Sequence, residues 1–170
     1  TIPLMGARLE VVDPEGATVG TFATNSRGQI VIPLTLAGNY TVYERQAPAG
    51  YLMSAEPAQN VKVEYGEQAT ITFENAPYGT LRVQKYSDTG MKLPGAMVQI
   101  EHIESGVTYS GETNYSGVAI FDQIKPGAYR VTEIAAPSGY IKSDEVFNAV
   151  VESGDTTEVA IVNEEKPGLR

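Results

Sequence analysis

Three alternating apolar runs in the second half of the chain each end in a polar residue that could take part in chemistry. The runs are Leu81-x-Val83-x-Lys85, Tyr129-x-Val131-x-Glu133 and Val159-x-Ile161-x-Asn163. Because alternate residues of a β-strand share a face, each polar residue is expected on the apolar side of its strand. An amine, a carboxyl group and a carboxamide would then point inward, where burial favours the neutral forms of the first two.

If these three side chains meet, the chemistry available to them is amide formation. A neutral amine can attack the side-chain carbonyl of Asn163 while a protonated carboxyl group polarises that carbonyl and transfers protons. The products are a cross-link from Lys85 to Asn163 and ammonia, formed once per domain and without turnover. The alternatives are a buried Lys85–Glu133 ion pair with the amide nearby, or strand-end residues that reach water. The facing pattern alone leaves these alternatives open.

The elements that carry these residues occur twice in the chain. At an offset of 89, Glu44 matches Glu133, and beyond a one-residue gap Asn75 matches Asn163. The clearest shared motif is Ala47-Pro48-x-Gly50-Tyr51, which returns as Ala136-Pro137-x-Gly139-Tyr140. Self-similarity at a fixed period indicates tandem modules. We predict a first domain over residues 1–76, a second over 77–165, and the start of a further repeat at 166–170.

Each copy has the sequence pattern of β-strands. Residues 69–75, 128–134 and 159–163 alternate with period two and are rich in β-branched and aromatic residues, which is typical of β-structure. Turn formers such as Lys125-Pro-Gly127 separate the runs, and no segment has a helical period with caps. Short strands at this spacing predict an all-β chain of two tandem β-sandwich domains.

Composition excludes several classes of function. With 12 Lys+Arg against 21 Asp+Glu the net charge is −9, which disfavours binding to nucleic acid or to an anionic membrane, and no apolar run is long enough to span a bilayer. The absence of cysteine excludes disulfides and thiolate chemistry. The single histidine, His102, is expected in a solvated strand or loop, not in a metal site. We therefore expect no metal, no cofactor and no ordinary enzyme.

The motifs resemble a known family. The residues Tyr129-x-Val131-x-Glu133-x-x-Ala136-Pro137-x-Gly139-Tyr140 resemble the E-box of Gram-positive surface proteins. The stretch Lys85-x-x-x-x-Gly90-x-x-Leu93-Pro94-Gly95-Ala96 is similar to the opening of the collagen-adhesin B-type (CnaB-like) domain of adhesin stalks and pilins. The resemblance implies an Ig-like or prealbumin-like topology. It also implies an intramolecular isopeptide bond in which Lys85 is the nucleophile, Asn163 the acceptor and Glu133 the promoting residue.

The first copy departs from this pattern. Glu44 and Asn75 match, but the aligned lysine would lie before Thr1, and Lys62 aligns with a different strand. We predict that the first copy forms no such bond here, which leaves Glu44 idle and Asn75 an unpaired acceptor. The copy is also expected to lack its first strand. The resulting groove or open edge would invite strand donation from another copy of the chain.

The function predicted from the resemblance is structural. We expect two stalk or spacer modules of an adhesin or pilin, outside the cell and associated with the wall of a Gram-positive bacterium, whose partners are neighbouring repeats. The alternative is a ligand-binding module for a host protein or glycan, which a large apolar surface patch would favour. A carbohydrate-active enzyme would need an open carboxylate pair, whereas Glu44 and Glu133 lie in separate repeats.

Overall fold

The computed structural model describes residues 2–168, and its chain divides into two compact units, Thr1–Pro77 and Tyr78–Arg170. The predicted start of a further repeat at 166–170 includes Leu169 and Arg170, which lie outside the described residues. Throughout the described part of the chain there are strands and turns and no helix, hence no helix long and apolar enough to cross a membrane. The prediction of an all-β fold is confirmed.

The first unit contains one antiparallel sheet of four strands, ordered β2-β1-β3-β4. Its strands are β1 (Arg8–Val12), β2 (Thr18–Ala23), β3 (Gly38–Gln46) and β4 (Ala58–Val63). Val11, Tyr40 and Val42 are the buried centre of its apolar cluster. Partly buried residues of the segments 30–34 and 71–73, which lie outside the sheet, pack against that centre. The segments thus occupy the layer where a second sheet would lie.

The second unit contains two sheets. Its strands are β5 (Gly79–Ser87), β6 (Met97–His102), β7 (Thr108–Glu112), β8 (Val118–Ile124), β9 (Gly127–Ala135), β10 (Val146–Val151) and β11 (Thr156–Asn163). One sheet has the order β10-β9-β6-β7 and the other the order β11-β5-β8. A single core of buried residues draws on both sheets, among them Leu81, Ile100, Tyr129 and Ile161. The unit is therefore a β-sandwich with its core between the sheets.

β5 is the central strand of the three-stranded sheet. It pairs in parallel with β11, with Lys85 opposite Ile161, and antiparallel with β8, with Leu81 opposite Phe121. Its residues alternate strictly between buried and half-buried positions, as a strand covered on one face by a core should. The first and last strands of the unit consequently lie side by side, and their inward residues face the same core.

One predicted strand is wrong. Residues 69–75 lie in no strand, although alternate side chains there are half-buried as the pattern predicted. The segment 29–34, which aligns with β8, is likewise outside any strand. In the second unit the equivalents of both segments, β11 and β8, pair with β5 and not with each other. Because the first unit contains no counterpart of β5 among its described residues, neither segment has the neighbour that a β-ladder requires.

The two units nevertheless share their turn chemistry. Thr113 Oγ1 donates a hydrogen bond to Leu93 O (2.7 Å) and accepts one from Ala96 N (2.9 Å). Thr24 makes the matching contacts, to Leu4 O (2.7 Å) and from Ala7 N (3.0 Å). These pairs are related by the offset of 89 found in the sequence. The sequence repeat is therefore accompanied by the same pair of threonine hydrogen bonds in both units.

Candidate isopeptide site

Three strands of the second unit bring the predicted site residues together. Lys85 is on β5, Glu133 is on β9 of the opposite sheet, and Asn163 ends β11. In the parallel register Lys85 lies opposite Ile161, two residues before Asn163, so both polar side chains are on the inward face. Glu133 reaches the same point from across the sandwich. The site is thus built from the first strand, the last strand and the facing sheet.

The site is fully buried. Lys85 Nζ lies 3.0 Å from Glu133 Oε1, and neither side chain has any exposed surface. Asn163 is also buried, with 1% of its surface exposed. The contact between the amine and the carboxylate has the length of an ion pair but not the angles of a hydrogen bond. A lysine and a carboxylate without water around them are a costly pair to bury, and that cost invites a chemical explanation.

Glu133 and Asn163 are held in place by hydrogen bonds. Glu133 Oε2 accepts hydrogen bonds from Asn163 Nδ2 (2.7 Å) and from the backbone nitrogen of Ser143 (2.7 Å). Asn163 Nδ2 also donates to the carbonyl of Ile141 (2.6 Å). Both partners of Nδ2 are acceptors, and this sets the orientation of the amide. Its oxygen, Oδ1, has no hydrogen-bond partner within residues 2–168.

Burial favours the neutral form of the Lys85 amine. Desolvation lowers the pKa of Lys85 from its ordinary value of 10.5, and the contact with Glu133 opposes this only in part. A lowered pKa raises the share of neutral amine, which is the nucleophilic form. Glu133 meanwhile touches the incoming nitrogen, Lys85 Nζ, with one oxygen and the nitrogen that would leave, Asn163 Nδ2, with the other. The carboxyl group is therefore placed to pass a proton from one nitrogen to the other.

The first unit holds a similar arrangement without a lysine, but there the two hydrogen bonds reach different oxygens of the carboxylate. Glu44 is buried, and its Oε1 accepts a hydrogen bond from Asn75 Nδ2 (2.9 Å). Asn75 Nδ2 also donates to Leu52 O (2.8 Å), and Ser54 N donates to Glu44 Oε2 (2.6 Å). Lys62, the lysine of this unit, lies on β4 with an exposed side chain paired with Glu64. It is not part of the Glu44–Asn75 pair.

Two backbone contributors were missed by the sequence reasoning, although a signal for them was present. Ile141 O and Ser143 N both contact the Glu133–Asn163 pair, and Leu52 O and Ser54 N do the same in the first unit. These two positions are related by the repeat offset and follow the shared Gly-Tyr motif. Their side chains carry no obvious chemistry, so a search by residue type passes over them.

The expectation for His102 is wrong. The side chain is buried, with 2% exposed, and does not lie in a solvated strand or loop. Its Nδ1 lies 2.8 Å from Ser105 Oγ, and its ring packs edge-on against Tyr129 with centroids 5.0 Å apart. Gly127 leaves room for it, because a Cβ there would come within 2.4 Å of Nε2. Across residues 2–168 no cluster of three or more His, Cys, Asp or Glu could hold a metal ion.

Comparison with known proteins agrees with this architecture. Residues 1–77 and 79–165 each match the family described as "SpaA: Prealbumin-like fold domain". A search of the curated proteins finds no match. Both units are therefore prealbumin-like domains of the type found in Gram-positive surface proteins. The chain belongs to the SpaA prealbumin-like fold domain family, and the predicted resemblance to CnaB-like pilin and adhesin domains is confirmed.

Solved structures share the fold. The Bacillus anthracis TIE protein is 29% identical with a TM-score of 0.52, and the match covers 95% of this chain and 31% of that one. A streptococcal ancillary pilin is 21% identical with a TM-score of 0.55, covering 97% and 59%. The shaft pilin SpaA from Lactobacillus rhamnosus GG is 14% identical with a TM-score of 0.55, covering 98% and 90%. The chain thus spans about a third of the first protein's length and about three-fifths of the second's.

Proposed function

We propose that the chain is a structural spacer module of a Gram-positive cell-surface pilin or adhesin, and that its second unit closes itself with a Lys85–Asn163 isopeptide bond promoted by Glu133. The observation that carries the proposal is the contact of one buried carboxylate with both reacting nitrogens, Lys85 Nζ at 3.0 Å and Asn163 Nδ2 at 2.7 Å. An ion pair requires only Lys85 and Glu133. Proton transfer from one nitrogen to the other also requires the carboxamide of Asn163 beside the carboxylate.

The proposed reaction balances without any co-reactant. A proton moves from Lys85 Nζ to Glu133, and the neutral amine attacks Cγ of Asn163. The Nζ–Cγ bond forms, Glu133 returns its proton to Nδ2, and the Cγ–Nδ2 bond breaks. Glu133 then takes the second proton that Nζ loses on becoming an amide nitrogen and passes it to the departing ammonia, which leaves as ammonium. The rigid core holds the groups together in the same way that a preorganised active site does, and this removes most of the entropic barrier. Glu133 ends as it began, and the domain reacts once.

Intact mass under denaturing conditions tests the reaction directly. We expect the purified chain to weigh ~17 Da, one ammonia, less than its sequence requires, and peptide mapping to find Lys85 joined to Asn163. The full sequence mass would contradict the proposal and leave the site as an ordinary buried ion pair. A loss on a peptide containing Asn75 and Lys62 would contradict the prediction that the first unit stays unlinked.

The role of Glu133 is tested by a matched pair of variants. Glu133→Gln keeps the size of the side chain and its hydrogen bonding but cannot take a proton from Lys85. We expect this variant to have the full sequence mass. Glu44→Gln makes the same change at the equivalent position of the first unit, where no lysine is in place, and we expect it to retain the loss of ~17 Da. A loss of ~17 Da in Glu133→Gln as well would show that Glu133 is not the promoting group.

A bond at this place suits a spacer. It joins the first strand of the second unit to its last, so that tension passing through the unit runs through a covalent link. By analogy with a disulfide, a closed loop of this length is worth roughly 4–5 kcal/mol of stability. Unlike a disulfide, the amide does not depend on the redox state of its surroundings, which fits a chain without cysteine. The proposed location is accordingly the wall-associated surface, with neighbouring repeats as partners.

A second candidate, ligand binding, has one observation in its favour. The first unit has an open groove of about 1310 Å³ with an apolar lining that includes Ile32, Ile71 and Phe73. Pockets for small ligands are typically smaller, roughly 300–1,000 Å³. We propose that the groove is a place for a β-strand, and that any host protein or glycan is bound by other domains. Glu44 and Glu133 are both buried, which speaks against a glycosidase site.

A further inference from the structure

The nitrogen that would leave in the proposed reaction is held by two oxygens. Asn163 Nδ2 donates hydrogen bonds to Glu133 Oε2 (2.7 Å) and to the main-chain carbonyl of Ile141 (2.6 Å). Both hydrogens of the carboxamide nitrogen are therefore engaged, since that nitrogen carries two. Glu133 is the promoting group of the proposed reaction. Ile141 O contacts the same reacting atom just as closely, and a main-chain carbonyl is an acceptor only.

This carbonyl determines which atom of the carboxamide faces Glu133. If the carboxamide were turned over, Oδ1 in place of Nδ2 would meet two acceptor oxygens. An ionised Glu133 opposes that orientation, because a carboxylate is also an acceptor only. Once Glu133 has taken a proton from Lys85, its carboxyl group can donate to Oδ1 and no longer selects the orientation. Ile141 O is then the group that keeps Nδ2 beside the proton it must receive.

The contact also becomes more favourable as the reaction proceeds. Asn163 Nδ2 starts in a neutral carboxamide and departs as ammonium, so positive charge develops on it. A hydrogen bond from a charged donor is roughly twice as strong as one between neutral groups. An interaction that is stronger in the transition state than in the ground state accelerates the reaction. Ile141 O is in place for this before the reaction begins, at 2.6 Å from Nδ2.

The chain just after the acceptor holds this carbonyl in position. Ile141 N donates a hydrogen bond to Glu164 O (2.8 Å), and Lys166 N donates one to Gly139 O (2.8 Å). Residues 164–166 thus pair with the segment that carries Ile141. Because they directly follow the last strand of the unit, the segment is fixed only when the chain on both sides of the acceptor is in place.

The first unit has the same carbonyl contact without a lysine. Leu52, which corresponds to Ile141, accepts a hydrogen bond from Asn75 Nδ2 at its carbonyl oxygen (2.8 Å). Leu52 N donates to Ala76 O (2.8 Å), and Ala76 directly follows the asparagine there too. The contact therefore belongs to the fold of each unit and does not depend on the amine.

Ile141 also connects the buried site with the surface. Lys85 and Glu133 have no exposed side-chain surface, whereas Ile141 is 44% exposed. Ile141 lines a surface cleft of about 250 Å³ together with Ser143 and Glu164. The residue whose carbonyl holds the leaving nitrogen is thus one that reaches solvent, and this gives the departing ammonium a short way out.

We propose that the main-chain carbonyl of Ile141 is a second catalytic group of the Lys85–Asn163 reaction. It holds Nδ2 toward Glu133 while the carboxyl group is protonated, and it accepts a hydrogen bond from the departing ammonium. Residues 164–166 are positioning residues that act through it. The Nζ–Cγ bond forms, the Cγ–Nδ2 bond breaks, and Glu133 carries both protons, so the carbonyl exchanges none. This inference rests on the proposed function.

An ester in place of the amide between Ile141 and Lys142 tests the carbonyl itself. An ester carbonyl is a weaker hydrogen-bond acceptor, and the nitrogen removed, Lys142 N, donates no hydrogen bond within residues 2–168. Full chains made by chemical synthesis are kept in denaturant, diluted to start folding, and sampled for the loss of ~17 Da. We expect this loss to be roughly 3- to 10-fold slower in the ester chain. Folding followed by circular dichroism should be unchanged.

The matched control is an ester between Leu52 and Met53. It weakens the equivalent carbonyl of the first unit, where no lysine is beside the asparagine. We expect bond formation in the second unit of this chain to keep the rate of the all-amide chain.

Nuclear magnetic resonance of the Asn163 side chain separates a catalytic contact from a general effect on packing. In Lys85→Met the carboxamide persists because no amine is present to attack it. We expect its two nitrogen-bound hydrogens to give separate resonances that exchange slowly with solvent. The ester after Ile141 should shift the resonance of the hydrogen that faces Ile141 O and leave the one that faces Glu133. A change in packing alone would move both or neither.

Lys166→Pro is a second test that decides the matter if the ester chain does not regain its sheets. This variant removes the N–H that donates to Gly139 O, whereas Lys166→Ala keeps that N–H. We expect slower bond formation in Lys166→Pro and the ordinary rate in Lys166→Ala. Equal rates in the two variants would overturn the positioning role of residues 164–166.

The outcomes for this inference and for the proposed function are distinct. The full sequence mass in the all-amide chain overturns both, because no reaction then takes place. A loss of ~17 Da at the same rate in the all-amide chain and in the chain with the ester after Ile141 retains the bond and overturns the role of Ile141. Equal slowing by the two esters overturns that role as well, since the effect would not arise at the site.

Discussion

Lys85 is the residue on which the proposed chemistry of the second unit depends. Its side chain is buried completely against Glu133, beside a core of aliphatic and aromatic groups. Desolvation lowers its pKa, and the neighbouring carboxylate does not restore the ordinary value. The same burial that makes the charged amine unfavourable makes the neutral amine available as a nucleophile. The burial of Lys85, which destabilises the unreacted fold, therefore favours the proposed reaction.

This shift has a consequence for stability that can be measured in a chain unable to react. In Asn163→Ala the amine remains and the acceptor is gone. Between the lowered pKa of folded Lys85 and its ordinary value of 10.5 the unfolded chain binds more protons than the folded one. Stability is then expected to rise with pH across that window, because protonation draws the chain toward the unfolded state. Urea unfolding at a series of pH values measures the slope.

The matched control for this slope replaces the amine. In the double variant Asn163→Ala/Lys85→Met no amine titrates at the site, while every tyrosine and surface lysine is unchanged. We expect the rise in stability with pH to be smaller in the double variant than in Asn163→Ala. Identical slopes would mean that Lys85 keeps its ordinary proton affinity in the folded chain, and the argument for a neutral nucleophile would fail.

At the scale of elements, β5 decides the difference between the two units. In the second unit it joins β8 and β11 into a sheet, and that sheet covers the core formed with β6 and β9. In the first unit the equivalent segments 29–34 and 71–75 keep their alternating burial but form no ladder. The alternation of side chains therefore determines which residues face inward. A neighbouring strand is needed to pair the backbone N–H and C=O groups in hydrogen bonds.

The alternation along β8 yields a matched pair of substitutions. Phe121 is 7% exposed and faces the core opposite Leu81, whereas Ile120, the preceding residue, is 54% exposed. We expect Phe121→Ala to weaken the unit by roughly 3–5 kcal/mol and Ile120→Ala to change it by no more than about 0.5 kcal/mol. Hydrogen exchange of the β5 and β8 amides in the full chain measures both. Similar effects would contradict the assigned faces of β8.

At the scale of the whole molecule, the two units respond differently to load. In the second unit the proposed bond lies between the terminal strands β5 and β11, so most of that unit's length is enclosed in a closed loop. The first unit has no lysine beside Asn75 and no such closure within the described residues. A force that unfolds the first unit fully would therefore extend the second only outside its loop.

Single-molecule stretching from the two ends tests this difference. The loop from Lys85 to Asn163 contains 163 − 85 = 78 residue steps. Fully extended, that length is roughly 26–28 nm at about 3.3–3.6 Å per residue. At forces that unfold the first unit, we expect the extension of the unchanged chain to be shorter by this length. We expect the Glu133→Gln variant to extend by the full length. Release of the same length by both chains would show that no covalent closure bears the load.

Much of this architecture could be predicted from the order of residues. The offset repeat, the strand alternation and the inward position of Lys85, Glu133 and Asn163 follow from local pattern, because side-chain direction in a strand depends only on position. The match of Glu44 and Asn75 to the second copy was visible for the same reason.

Other features were decided only by tertiary structure. The alternating pattern at 69–75 predicted a strand, yet a ladder forms only when a second backbone lies beside it, and no local pattern reports that neighbour. His102 is flanked by carboxylates in the sequence, but a glycine on another strand, Gly127, makes the space that buries it. The meeting of Lys85 with both Glu133 and Asn163 likewise required two sheets to pack, because contact across a core depends on the register and spacing of distant strands.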